Sequence, residues 1–170
     1  SKWGIDENTQ VIAYDQGHGG IAARLWFMLK WLGHEKVAVL NGGWKHWQSI
    51  KEVTDSKIPK VLPKEFIPNP NAELIVDVPF MEKNVGNTDW LYIDSRAAKR
   101  YRGEEEPIDP IAGHIPSAIS APFAENLGED GLFLDKENLS QRFNKLLGDK
   151  TPAQAIFYCG SGVTACHNLL

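Results

Sequence analysis

Ala155-Ile156-Phe157-Tyr158-Cys159-Gly160-Ser161-Gly162-Val163-Thr164 is the stretch that decides the fold. Four apolar or aromatic residues make a short run of buried-strand character, and the run ends on a cysteine. Two glycines then turn the chain into a segment that restarts as a helix. A strand, loop and helix in this order aim successive backbone N–H groups, and the positive end of the helix, at the residue that ends the strand. A cysteine held there favours thiolate over thiol and is suited to hold or transfer something anionic. The competing reading is a structural cysteine at a strand end, the commoner role for a lone thiol.

The pattern occurs twice. Val11-Ile12-Ala13-Tyr14-Asp15 is followed by Gly17, Gly19 and Gly20, and then by Ile21-Ala22-Ala23. Tyr14 pairs with Tyr158 and Asp15 with Cys159. Matching Gly20-Ile21-Ala22-Ala23 to Gly162-Val163-Thr164-Ala165 leaves two extra residues in the first loop. An internal repeat of this kind points to a duplicated domain with one chemical copy and one silent copy.

Outward from these anchors, apolar runs alternate with helical segments. Val11–Tyr14 and Val37–Leu40 read as strands and Ala22–Leu32 as a helix closed by Gly33. Asn41-Gly42-Gly43 opens a helix carrying Trp44 and Trp47, both expected in the core. Pro59, Pro63, Pro68 and Pro70 exclude regular helix and central strand from the segment that follows. Further strands are expected over Leu74–Val78, Trp90–Ile93 and Ala155–Tyr158. Asp94 or Ser95 is expected to cap a helix over Ala97–Tyr101, and Leu139–Leu147 has amphipathic helical spacing. The alternation predicts an α/β fold of parallel sheets flanked by helices. The expected organisation is residues 1–50 as the later part of a silent domain, residues 51–72 as a linker, and residues 73–170 as the earlier part of a catalytic one. Both domains are expected to be incomplete in this chain.

These residues resemble the two-domain rhodanese and 3-mercaptopyruvate sulfurtransferase family. The resemblance runs through Tyr14-Asp15, Ala22–Trp26, Val39–Trp44 with Trp47, Ile93–Arg96, Arg100–Gly103, Ala112–Pro116 and the loop Cys159–Thr164. It implies tandem rhodanese-like domains and a sulfurtransferase. In such an enzyme Cys159 takes a sulfane sulfur from 3-mercaptopyruvate or thiosulfate, holds it as a persulfide, and yields it to cyanide, a thiol or thioredoxin. Gly160, Ser161, Gly162, Val163 and Thr164 would surround the persulfide, with Thr164 also placed to cap the helix. Arg100 would anchor the donor carboxylate, as a guanidinium fork suits one well. The sulfur is carried covalently, so neither a cofactor nor a metal is expected.

Two positions depart from the family pattern. Ser117 follows Gly-His-Ile-Pro where the family usually has Gly, and Ile108 stands where a second anchoring arginine is usual. The loop carries no cation, which in this family favours mercaptopyruvate over thiosulfate. Asp94 and Arg96 are read as a local ion pair that shapes a turn, His114 as a packed loop histidine, and Glu104-Glu105-Glu106 as a solvated run.

Rival classes are weaker. A cysteine phosphatase needs Arg six residues after its cysteine, and that residue is Ala165. A non-catalytic rhodanese-like binding module would lack the cysteine, which describes the first copy but not the second. A net charge of −4 argues against nucleic acid and anionic membranes as partners. The longest apolar stretch, near Leu25–Leu32, is interrupted by Lys30 and is too short to cross a bilayer. Two cysteines seven positions apart make neither a disulfide framework nor a zinc site, and free thiols fit a reducing compartment. The expected location is the cytoplasm.

Overall fold

Short runs rich in β-branched residues pair in parallel where a crossover helix can return the chain to the same end of the sheet. Residues 1–170 are described by a computed structural model, which divides into two units, Ser1–Leu74 and Ile75–Leu170. In the first unit β1 (Val11–Ala13) pairs in parallel with β2 (Val37–Val39), Val11 opposite Val37 and Ala13 opposite Val39. The crossover is α1 (Gly20–Trp31), which buries Ala22, Ala23 and Leu29. After β2 the chain turns into α2 (Gly43–Ser49). Gly43 has φ +54°, and a Cβ there would lie 2.4 Å from the Asp15 carbonyl oxygen, so this approach requires glycine.

Trp44 and Trp47 are half-buried rather than core residues. Trp44 stacks on the exposed Tyr14 at 6.1 Å, and the Trp47 indole N–H donates to the Val53 carbonyl. Their aromatic size suggested a core, but a sheet this small offers each ring only one covered face.

The proline-rich segment has no regular structure, as its four prolines require. It is nonetheless held to the first unit. Asn69 and Asn71 donate their backbone N–H groups to the Leu32 and Trp31 carbonyls at the end of α1, at 2.9 and 2.8 Å.

In the second unit the predicted strand over Leu74–Val78 is absent. Ala72–Leu74 is a 3-10 turn and α3 spans Val78–Asn84. Asp77 accepts the Phe80 N–H as an N-cap, and Pro79, in the first turn, loses no bond by lacking an N–H. That local helix-start signal outweighs the apolar run before it. Next come β3 (Leu91–Asp94), α4 (Ala98–Tyr101), β4 (Ile119–Ser120), α5 (Lys136–Leu147), β5 (Ala155–Tyr158) and α6 (Val163–Leu169). The sheet order is β4-β3-β5, all parallel, with Asp94 opposite Tyr158 on one side and Ser120 on the other. Tyr92 and Ile93 in the central strand are fully buried, and Tyr92 anchors the core with Ala118 and Ile156.

The α4 helix is uncapped by side chains. Ala97 precedes it, and the Asp94 carboxylate instead accepts the Arg96 N–H at 2.9 Å. Ser117 adopts φ +69°, the left-handed conformation that glycine enters freely and serine does not. No helix is long and apolar enough to cross a membrane.

Candidate active site

Open α/β sheets place their sites beyond the carboxyl ends of the strands. Here β3 ends at Asp94 and β5 at Tyr158, side by side, with the Ser95 N–H donating to the Tyr158 carbonyl. Cys159 follows immediately. The chain then passes through Gly162, φ +73°, which serves as N-cap of α6 without a side-chain bond. The left-handed residue folds the loop back so that its N–H groups converge on the sulfur. Gly162 donates its N–H to Cys159 Sγ at 3.0 Å.

Burial works against the Cys159 thiolate. It is outweighed by the Thr164 hydroxyl and by the N–H groups of Ala165, Ser161 and Thr164, so the thiol is held below its ordinary value. Thr164 is therefore not the helix cap that its position suggested. Its hydroxyl is turned to the sulfur instead, and Gly162 takes the capping place. Neither cysteine is in a disulfide, and Cys166 donates its thiol to the Gly162 carbonyl one turn along α6.

The structure brings Arg100 to this loop. A Cβ placed on Gly160 would lie 3.5 Å from Arg100 Nη2 and 3.5 Å from Asp109 Oδ2. The guanidinium is already engaged: Nη2 donates to Glu106 Oε1 at 2.6 Å and to Asp109 Oδ2 at 2.8 Å, and Nε donates to Glu106 Oε2 at 3.2 Å. Glu106 is consequently not part of a solvated run. Its side chain is 5% exposed and it also accepts from Arg96 Nη1. The Arg100 hydrogen bond, then the Asp109 and Ile108 N–H groups, hold its carboxyl down to about 2 against the opposing effect of burial. Glu104 and Glu105 do lie at the surface, paired with Arg102 and Lys99.

Arg96 is the second arginine of this cluster. Its Nε and Nη2 grip both oxygens of the fully buried Asp94 at 2.7–3.0 Å, which is the ion pair expected from the sequence. It then reaches on to Glu106 and, at 3.7 Å, to Asp109. His114 stacks on Tyr101 at 3.8 Å and bonds the Tyr101 carbonyl, a packing role.

Sequence reasoning missed Glu106 and Asp109. The usable signal was spacing: Arg96 and Arg100 four apart, and two carboxylates three apart in the loop that returns over them. It also missed the buried brace behind α6. Asn168 donates to Ser95 Oγ and the Ala121 carbonyl, Asn126 donates to Asn168, and Arg142 donates to Asn126, all at 2.8–2.9 Å.

The first unit builds the same cradle around Asp15. The Gly17 and Gly19 N–H groups donate to Oδ1, and the Ala22 N–H donates to Oδ2, at 2.9–3.1 Å. The left-handed N-cap is Gly19, φ +81°, which makes it the counterpart of Gly162. Ala22 then matches Ala165 and Ile21 matches Thr164. The first loop is longer by one residue, not two, because sequence matching had placed Gly20 on Gly162.

Residues 1–50 match the model of the rhodanese-like domain. The chain is 44% identical over 168 residues to a probable 3-mercaptopyruvate sulfurtransferase of Pseudomonas aeruginosa, an overlap of 98% of this chain and 59% of that protein. Residues 1–50 are thus rhodanese-like, and the chain as a whole is similar to sulfurtransferases. The human 3-mercaptopyruvate sulfurtransferase is 34% identical, covering 96% of this chain and 56% of the relative. Bovine thiosulfate sulfurtransferase is 33% identical, with 96% and 57% covered. The structure of SseA from Escherichia coli, a 3-mercaptopyruvate sulfotransferase of the "Rhodanese" fold, superimposes with a TM-score of 0.81 at 31% identity, over 99% of this chain and 63% of that one. The chain spans a little over half the length of the curated relatives it matches. Those relatives carry both donor names.

Proposed function

We propose that this chain carries the catalytic cysteine of a sulfurtransferase, moving a sulfane sulfur from 3-mercaptopyruvate or thiosulfate to cyanide or a thiol through a persulfide on Cys159. The observation that carries the reading is Cys159 Sγ seated in converging N–H donors with the Thr164 hydroxyl beside it. An anionic sulfur is what such a cradle stabilises.

With mercaptopyruvate, the Cys159 thiolate attacks the donor sulfur. The carbon–sulfur bond breaks, its electron pair goes to the methylene carbon, and the donor thiol proton ends there, giving pyruvate and the anionic persulfide. With thiosulfate, the sulfur–sulfur bond breaks and sulfite leaves. A nucleophilic acceptor then attacks the outer sulfur and restores the thiolate. Gly160–Thr164 line the persulfide, and Arg100 meets the donor carboxylate. Residues 1–50 fall in the silent copy, 51–72 link, and 73–170 hold the chemistry. Thioredoxin is one thiol acceptor of suitable chemistry, and a reducing cytoplasm keeps both cysteines competent.

Incubation with donor followed by intact-mass measurement should show one added sulfur, removed by cyanide and absent in Cys159→Ser. Full transfer activity in that variant would overturn the reading.

A further inference from the structure

The fork that should receive the donor carboxylate already holds one. Two acidic side chains share Arg100, and they differ in kind. Glu106 is nearly enclosed and is tied down by the Ile108 and Asp109 N–H groups, by Arg96 and by Arg100. Asp109 is 38% exposed, and its carboxylate touches only Arg100 Nη2 at 2.8 Å and, more distantly, Arg96 Nη1 at 3.7 Å. Glu106 is fixed architecture. Asp109 is the displaceable partner, and it lies beside Gly160, the residue next to the nucleophile.

We propose that Asp109 is a built-in carboxylate that occupies the outer edge of Arg100 in the donor-free enzyme, and that an incoming donor carboxylate must exchange with it. This rests on the reading of Arg100 as the donor anchor. Asp109 then sets donor selectivity as a positioning residue. It fills the outer edge of Arg100 when no donor is present, and it penalises anions that cannot take its place on a planar guanidinium. With the buried Asp94–Arg96 pair neutral, Arg100 faces two carboxylates, so the mouth of the loop is net negative and discourages any anion that does not exchange with one of them. A monocarboxylate with a flat head can replace Asp109 one for one. A tetrahedral dianion adds a charge without matching the fork.

The test separates this inference from the sulfurtransferase reading by using alkylation of Cys159, which needs no transfer activity. Rates with iodoacetate and with iodoacetamide are measured on the full chain, and their ratio reports how open Arg100 is to a carboxylate. In Asp109→Asn the ratio should rise about five-fold, within the reach of one partly screened charge-assisted bond. The iodoacetamide rate itself should stay within about two-fold. With 3-mercaptopyruvate the same variant should lower KM by about three- to ten-fold and leave kcat within about two-fold. Asp109→Ala should move both readouts in the same direction. An unchanged or lower ratio, or a KM that rises in both variants, overturns the proposal, because Asp109 would then be holding Arg100 in place rather than competing for it. If no persulfide forms in the wild type but the ratio still rises, the sulfurtransferase reading fails while the exchange at Arg100 stands.

Discussion

The Asp15 loop and the Cys159 loop are one device with two occupants. Each follows a short strand and a tyrosine, Tyr14 or Tyr158, each turns on a left-handed glycine, Gly19 or Gly162, and each aims N–H groups from the loop and the next helix at a single side chain. In the first copy the occupant is a carboxylate that is permanently charged near neutral pH and already saturated by its donors. In the second it is a sulfur whose charge the cradle creates and whose valence can take another atom. The surroundings differ too. Ile21 occupies the place of Thr164, and Tyr14 is exposed where Tyr158 is half-buried and accepts the Ile115 N–H. A cradle for an anion is therefore not an active site by itself. On the proposed reading the chemistry needs a titratable nucleophile, a hydroxyl to complete its shell, and the Arg96–Arg100 cluster beside it.

The largest effect should come from making the second copy like the first. Cys159→Asp fills the cradle with a carboxylate, so the fold should persist while transfer falls at least about a thousand-fold, as removal of a nucleophile requires. Circular dichroism with a donor assay reads both, and a collapsed fold would show that the cradles are not equivalent. The reverse change, Asp15→Cys, should form no persulfide on the introduced thiol under donor, since Ile21 provides no hydroxyl and Arg100, the proposed donor anchor, belongs to the Cys159 loop. Sulfur loading at that position would remove the distinction drawn between the two loops.

Thr164→Val brings the second copy one step closer to the first and should slow transfer about ten-fold at neutral pH, the worth of one hydrogen bond to a charged group. Because the native thiol is held below its free value, its thiolate persists to lower pH than an ordinary cysteine's. Loss of the hydroxyl should move the alkylation midpoint upward. A midpoint that stays put would assign the effect to the backbone donors alone.

In the first copy the payoff is stability. Burial opposes ionisation of Asp15, but the Ala22, Gly19 and Gly17 N–H groups outweigh it and hold the carboxyl below its usual range. Such a group stabilises the fold above its unfolded pKa, about 3.9, and loses that contribution as pH falls through the folded value. Asp15→Asn should therefore cost about 1 kcal/mol at pH 7, allowing for solvent screening. The gap from wild type should close in acid. Urea titrations at neutral and acidic pH check it, and a constant gap would contradict the charge argument.

The smallest effect concerns the conformation that both cradles assign to glycine. Ser117 holds the same left-handed backbone with a Cβ attached. Ser117→Gly relieves that cost and loses part of it to unfolded-chain entropy, for a net gain of about 0.5 kcal/mol. Thermal unfolding would read it, and a lower midpoint would mean that the serine side chain contributes something glycine cannot.

Sequence alone determined the strand–cysteine–loop–helix unit, its repeat at Asp15, the parallel α/β class and the Asp94–Arg96 pair. All of these depend on neighbours a few residues apart, where periodicity, glycine placement and charge spacing act directly. Sequence reading passed over one local cap and misjudged what depends on contacts between distant segments. Leu74–Val78 looked like a strand, but the Asp77 cap and the packing of Phe80 against Trp90 made a helix after a turn. The two-residue strand β4 has no periodicity to detect and exists because Asp94 and Ile93 pair with it. The one-residue offset between the loops became visible only from which N–H reaches which acceptor. Glu106 looked like solvated charge, and Asp109 had no assigned role, until the chain folded them over Arg96 and Arg100. Tertiary structure decided these because a charged side chain's role is set by the opposite charge it meets, and that partner is fixed by how the loop returns rather than by the residues beside it.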